Sequence, residues 1–118
     1  MACKILVVDD AVADRQALAS ILASAGHHVL LAESGEHGLL RARKELPSLI
    51  LIDVDMPELD GFATTRRLKS DAVTRDIPVV FVTGRNQKAD MAWGRILGAR
   101  GYISKPYSRA QVLEQLGG

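Results

Sequence analysis

Five short runs of mostly aliphatic residues, Lys4 to Val8, Val29 to Ala32, Leu49 to Ile52, Val79 to Val82 and Gly101 to Ser104, alternate with longer stretches in which apolar residues return every three or four positions. No other feature restricts the fold as much. Runs this short suit strands buried on both faces, with the weaker second and fifth nearer an edge. The stretches between them predict helices over about Asp14 to Ala25, Gly35 to Glu45, Gly61 to Ser70, Gln87 to Leu97 and Arg109 to Leu116. Leu18, Ile21 and Leu22 form an apolar stripe on the first, and Leu39, Leu40 and Ala42 one on the second. Gly26 and Gly98 stop the first and fourth helices, Pro47 closes the second, and Pro78 opens the fourth strand.

Strand then helix, five times over with short connections, predicts an α/β fold. It is a (βα)5 doubly wound parallel sheet with right-handed crossovers and helices on both faces. The 118 residues fit one domain, and an apolar content of 47% supplies its core.

Charge is nearly balanced, with 15 lysines and arginines against 14 acids, so no broad field draws the chain to nucleic acid or anionic lipid. Cys3 stands alone and forms no internal disulfide; it reads as a small side chain at the edge of the first strand. No apolar leader and no apolar run of about 18 residues is present, which predicts a cytoplasmic chain that does not enter the membrane.

Open parallel sheets carry their chemistry at the carboxyl ends of the strands, where strand order reverses. The first strand here ends in Asp9 and Asp10, the third in Asp53, the fourth in Thr83, and the fifth in Lys105 followed by Pro106. Each alone has an ordinary explanation as a turn former, helix cap or solvated lysine. Together they place three acids, a hydroxyl and an ammonium on one edge. Carboxylates crowded this way repel, and a divalent cation resolves the conflict. Oxygen ligands without histidine or thiol, with room left for water and a phosphoryl group, suit magnesium better than calcium. Asp10 is then a direct ligand, Asp9 a direct or water-mediated one, and Asp53 gives one oxygen and keeps the other as a nucleophile. Attack on phosphorus forms an acyl phosphate, for which Lys105, the Thr83 hydroxyl and nearby amides supply positive charge.

The segments "ILVVDD", "DVDMPELDG", "VVFVTG" and "GYISKP" closely resemble the receiver domains of two-component response regulators, over essentially the whole chain. The resemblance implies a flavodoxin-like sheet of strand order 2-1-3-4-5. It implies that Asp53 accepts a phosphoryl group from a sensor histidine kinase or phosphotransfer protein, while Asp9 and Asp10 hold magnesium and the backbone carbonyl of Asp55 completes the metal site. Thr83 and Lys105 would bind the phosphoryl oxygens, and the amides of Val54 and Gly84 would complete the cradle. It also implies a cis bond between Lys105 and Pro106, a geometry that costs only about 1 kcal/mol before proline. Tyr102 matches the family's aromatic switch, which follows Thr83 inward and reshapes the surface of the fourth helix, fifth strand and fifth helix. The plainer reading is a fixed half-buried ring with its hydroxyl at the surface.

Asp55 and Arg85, two positions after Asp53 and Thr83, carry opposite charges where the family tunes hydrolysis, so a pair across the site would shield the phosphoryl group. Asp53-x-Asp55 also resembles the first motif of haloacid dehalogenase-type phosphohydrolases. Against that reading, the acidic pair Asp9 and Asp10 lies on the first strand and no room exists for a cap domain. A phosphorylation-independent binding module is the third reading; it would have lost one of the site residues, and none is lost.

Gly117 and Gly118 follow the fifth helix directly, so the expectation is a stand-alone, monomeric receiver with no output domain, acting on a downstream protein target. The Trp93-Gly94 and Gly98-Ala99-Arg100 pattern is similar to receivers of type IV pilus twitching-motility systems, beside the general chemotaxis and phosphorelay types. Spacing with Ala89, Ile96 and Leu97 puts Trp93 on or beside the buried stripe of the fourth helix, with Met91 and Arg95 toward the output face. His27, His28 and His37 read as solvated.

Overall fold

The computed structural model describes residues 3–116; Gly117 and Gly118, on which the expected chain end rests, lie outside them. Its elements run β1 (Lys4–Val8), α1 (Val12–Ser24), β2 (His28–Ala32), α2 (Gly35–Glu45), β3 (Leu49–Ile52), α3 (Gly61–Ser70), β4 (Val79–Thr83), α4 (Lys88–Ile96), β5 (Gly101–Ser104) and α5 (Arg109–Glu114). All strand pairs are parallel, in the order β2-β1-β3-β4-β5. The order reverses between β1 and β3, so those two strands bound the crevice of the switch point.

Burial follows position in the sheet. Every residue of β3 and β4 is buried, whereas β2 and β5 alternate with exposed or half-exposed positions, as edge strands must. Alternate residues of each central strand enter different cores. Leu6, Val8, Ile50, Ile52, Val79 and Phe81 pack with Leu68 of α3 and Ala42 of α2; Ile5, Val7, Leu49, Leu51, Val80 and Val82 pack with Leu18 and Leu22 of α1 and Val112 of α5. Cys3 packs at the edge of the second core.

Local chemistry sets the helix starts. Ser34 accepts from the His37 amide at 3.1 Å, Asp60 from the Ala63 amide at 2.8 Å and Ser108 from the Gln111 amide at 3.2 Å, each satisfying an amide that the first turn leaves free. Gly61, the first residue of α3, is required by a close approach: a Cβ there would lie 2.2 Å from the Asp53 carbonyl oxygen. Its amide donates to the Val54 carbonyl at 2.9 Å, so the motif "DMPELDG" folds back on the end of β3.

Three expectations about exposure need correction. Trp93 is 40% exposed and Ile96 72%, so Trp93 lies beside the buried stripe of α4 and not on it, and Ile96 lies outside it. The face of α4 turned to the sheet is centred on Gly94, where a Cβ would lie 3.2 Å from the Phe81 ring and 3.3 Å from the Tyr102 ring. At about 100° per residue, closest approach at Gly94 swings Trp93 to the flank and Ile96 to the far side. Leu40 of α2 is likewise 70% exposed, while Gly38 and Ala42 face inward. His27 is half-buried, its Nδ1 accepting from the Cys3 amide at 3.0 Å, and His37 Nδ1 accepts from the Glu33 amide at 3.4 Å; only His28 is plainly exposed.

Candidate functional site

Backbone pairing fixes the acids before their side chains meet. The Asp9 amide donates to Ala32 O at 3.1 Å and the Asp53 amide to Val8 O at 3.0 Å, which extends β1 and β3 by one residue and sets both carboxylates on the rim of the crevice. Asp9 and Asp53 are buried, and Asp10 is exposed beside them. One carboxylate oxygen from each of Asp9, Asp10 and Asp53 falls within a 4.8 Å cluster.

Lys105 reaches into this cluster from the far side of the sheet. Its amide donates to the Thr83 carbonyl at 2.9 Å, and its Nζ donates to Asp9 Oδ2, Asp14 Oδ2 and Asp53 Oδ2, each at 3.0 Å. The peptide bond from Lys105 to Pro106 is cis. Burial works against the Lys105 charge, but the hydrogen bonds to Asp9, Asp14 and Asp53 outweigh it and hold the ammonium above its ordinary pKa. Burial pushes the Asp9 carboxyl up; the Ala11 amide, donating to Oδ1 at 3.0 Å, and Lys105 pull it down, and the charge of Asp53 raises it further. Asp53 Oδ1 accepts from the Asp55 amide at 3.2 Å. Both Asp53 oxygens therefore have defined partners.

Thr83 ends β4, fully buried, and its hydroxyl oxygen accepts from the Arg85 amide at 3.2 Å. Val54 is buried under the rim, and Gly84 is exposed with open space where a side chain would stand. Asp55 and Arg85 meet: Nη1 donates to Asp55 Oδ1 at 3.1 Å, and Nε donates to Asp90 Oδ1 at 3.2 Å. The Tyr102 ring rests on Phe81, with centroids 5.8 Å apart, and its hydroxyl donates to the Arg85 carbonyl. Burial, aided by the charge of Asp90, pushes the Tyr102 hydroxyl up to about 12.

Asp9, Asp10, Asp53 and Lys105 are thus drawn into one crevice, with Thr83, Asp55 and Arg85 at the strand ends beside it. Two partners were not singled out from the sequence, Asp14 on Lys105 and Asp90 on Arg85. Both are acids in the first turn of a helix, α1 and α4, where the helix dipole is sufficient reason for an acid.

A sheet of order β2-β1-β3-β4-β5 with an acidic crevice and a lysine across it defines a class, and a family model agrees. The chain belongs to the response regulator receiver domain family, whose model matches residues 5–117. Such domains are signalling proteins that take phosphoryl groups from histidine kinases and act on downstream targets.

Particular relatives sharpen this. The chain is 42% identical over 113 residues to Protein PilH of Pseudomonas aeruginosa, covering 96% of this chain and 93% of that protein. It is 40% identical to a probable transcriptional regulator, ycf27, of Pyropia yezoensis, where it covers 92% of itself but only 44% of the relative. Among solved structures, chemotaxis protein CheY4 of Vibrio cholerae superposes with a TM-score of 0.92 at 28% identity, covering 99% and 98% of the two chains. Nothing in these comparisons favours the phosphohydrolase or the phosphorylation-independent module. Among the described residues no helix is long and apolar enough to cross a membrane.

Proposed function

We propose that Asp53 is the phosphoacceptor of a stand-alone response regulator. The observation that carries this reading is the single ammonium of Lys105 held 3.0 Å from Asp53 inside the acidic crevice. An Asp53 oxygen forms the new O–P bond as the P–N bond of a kinase phosphohistidine breaks, and the imidazole leaves with the bonding pair. Lys105 meets the charge that builds on the phosphoryl oxygens, joined by the Thr83 hydroxyl, whose proton stays free to donate because its oxygen accepts from Arg85. The Val54 and Gly84 amides would line the remaining side; Gly84, without a side chain, leaves the approach open.

The donor set fits magnesium: three carboxylates within 4.8 Å, no histidine or thiol, and an Asp9 whose burial leaves its charge undercompensated. Asp9, Asp10, Asp53 and the Asp55 carbonyl would hold it, and when bound it neutralises charge between acceptor and phosphoryl group. After transfer, Thr83 moves toward the phosphoryl oxygen and Tyr102 follows, altering the α4, β5 and α5 surface. The Asp55 and Arg85 pair, closed at 3.1 Å, shields the phosphoryl group from water. The protein works as a cytoplasmic monomer, and the α4 sequence pattern with the identity to PilH supports a twitching-motility or chemotaxis-type pathway.

Magnesium with acetyl phosphate, or with beryllofluoride as phosphoryl mimic, tests this reading. Label on Asp53, with amide shifts spreading to Thr83, Tyr102 and α4, is expected. Labelling that survives Asp53→Asn overturns it.

A further inference from the structure

Lys105 has an unusual load. An ammonium carries only three N–H donors, and here three carboxylates at 3.0 Å take all of them: Asp9, Asp14 and Asp53. A phosphoryl oxygen arriving beside Asp53 therefore finds no free donor on Lys105. One partner has to let go.

The three partners are not equivalent. The Asp9 side chain is 6% exposed and that of Asp53 10%, and both belong to the cluster of carboxylates; until the O–P bond forms both remain anionic, and neither can be rehydrated in place. The Asp14 side chain is 50% exposed and lies outside that cluster. It stands with Lys105, Ala17, Pro106 and Tyr107 on the wall of an open cleft, so water can replace the lysine at little cost. Asp14 is the partner that leaves.

We infer that Asp14 is a positioning residue that holds Lys105 in the unphosphorylated state and competes with the incoming phosphoryl group for its third donor. The inference rests on the reading of Asp53 as phosphoacceptor. In the resting chain Asp14 occupies the donor and adds a negative charge facing an anionic phosphodonor. As a phosphodonor docks, before the O–P bond forms at Asp53, the Lys105 to Asp14 hydrogen bond breaks, that donor turns to a phosphoryl oxygen, and Asp14 is left to water. Asp14 thus sets how readily the chain accepts phosphoryl groups without touching one.

Removing the competitor has a definite sign. Asp14→Asn should accelerate labelling by acetyl phosphate and lower the beryllofluoride concentration for half-saturation, by about two- to five-fold, the range available to a half-exposed ion pair. Asp14→Glu, which restores the charge within reach, should return both toward the parent. The gain should shrink as salt rises from low to molar ionic strength, since screening removes an electrostatic competitor but not a packing defect. Parental rates and half-saturation in Asp14→Asn, a decrease in either, or a gain that Asp14→Glu does not reverse or that ignores salt would overturn the inference. A parent chain that takes no label at all would instead overturn the phosphoacceptor reading.

Discussion

Two cations organise the same edge of the sheet, and they do so in different surroundings. Lys105 gathers Asp9, Asp14 and Asp53 in the crevice, its side chain 20% exposed. Arg85 gathers Asp55 and Asp90 on the rim, 49% exposed. In the crevice the acids outnumber the base and water is scarce, so each charge depends on its neighbours. On the rim water screens every pair, and the contacts adjust at little cost. The buried group is therefore suited to chemistry, and the exposed group links the crevice to α4 and Tyr102.

The largest expected effect breaks the crevice chemically. Asp53→Asn should abolish phosphoryl labelling, yet without magnesium it should raise the melting temperature, because it removes one of several crowded negative charges. A gain of about 1 kcal/mol corresponds to about 4 °C for a domain of this size. A lowered melting temperature would show that the acids are not in conflict.

Lys105→Met removes the shared donor and leaves buried carboxylates uncompensated. It should cost about 1–2 kcal/mol near neutral pH, less than a fully buried pair because the crevice is partly open, and magnesium should recover part of the loss. Chemical denaturation with and without the ion would measure both.

Gly61→Ala tests how rigidly Asp53 is held. Its Cβ would be driven against the Asp53 carbonyl at 2.2 Å, an overpacking expected to cost about 1–3 kcal/mol and to slow labelling. An alanine variant as stable and as readily labelled as the parent would mean that α3 does not brace the acceptor.

On the rim the expectation reverses. Arg85→Ala and Asp55→Asn should barely move the melting temperature but should shorten the acyl-phosphate lifetime by about two- to five-fold, in line with what an exposed pair supplies. Unchanged lifetimes would end the shielding proposal and leave the pair a surface contact.

The smallest effect is spectroscopic. Tyrosinate absorbance of the parent should include a component titrating near pH 12 that Tyr102→Phe removes. Since the folded value lies above the ordinary 10.0, the native state keeps its proton longer. Stability from this group is present below pH 10 and is lost as pH rises through 12.

The sequence showed the five βα units, the edge positions of β2 and β5 and the convergence of Asp9, Asp10, Asp53, Thr83 and Lys105. Strand burial is written in runs of apolar residues, and the residue after such a run must emerge at the sheet's carboxyl edge. The pairing of Asp55 with Arg85 was foreseeable because both sit two residues beyond strand-end positions that face one another.

Helix rotation was not foreseeable in that way. Whether Trp93 faces the core, whether Asp14 meets Lys105 and whether Asp90 meets Arg85 depend on how each helix turns about its own axis against the sheet. For α4 the deciding contact is Gly94 against Phe81 and Tyr102, two rings from strands distant in sequence. Periodicity specifies that a helix has an apolar stripe; only the shape of the surface it packs on selects the residue at the centre of the contact. Local sequence thus determined the strands and the chemistry at their ends, and tertiary packing decided which helical side chains came to that chemistry.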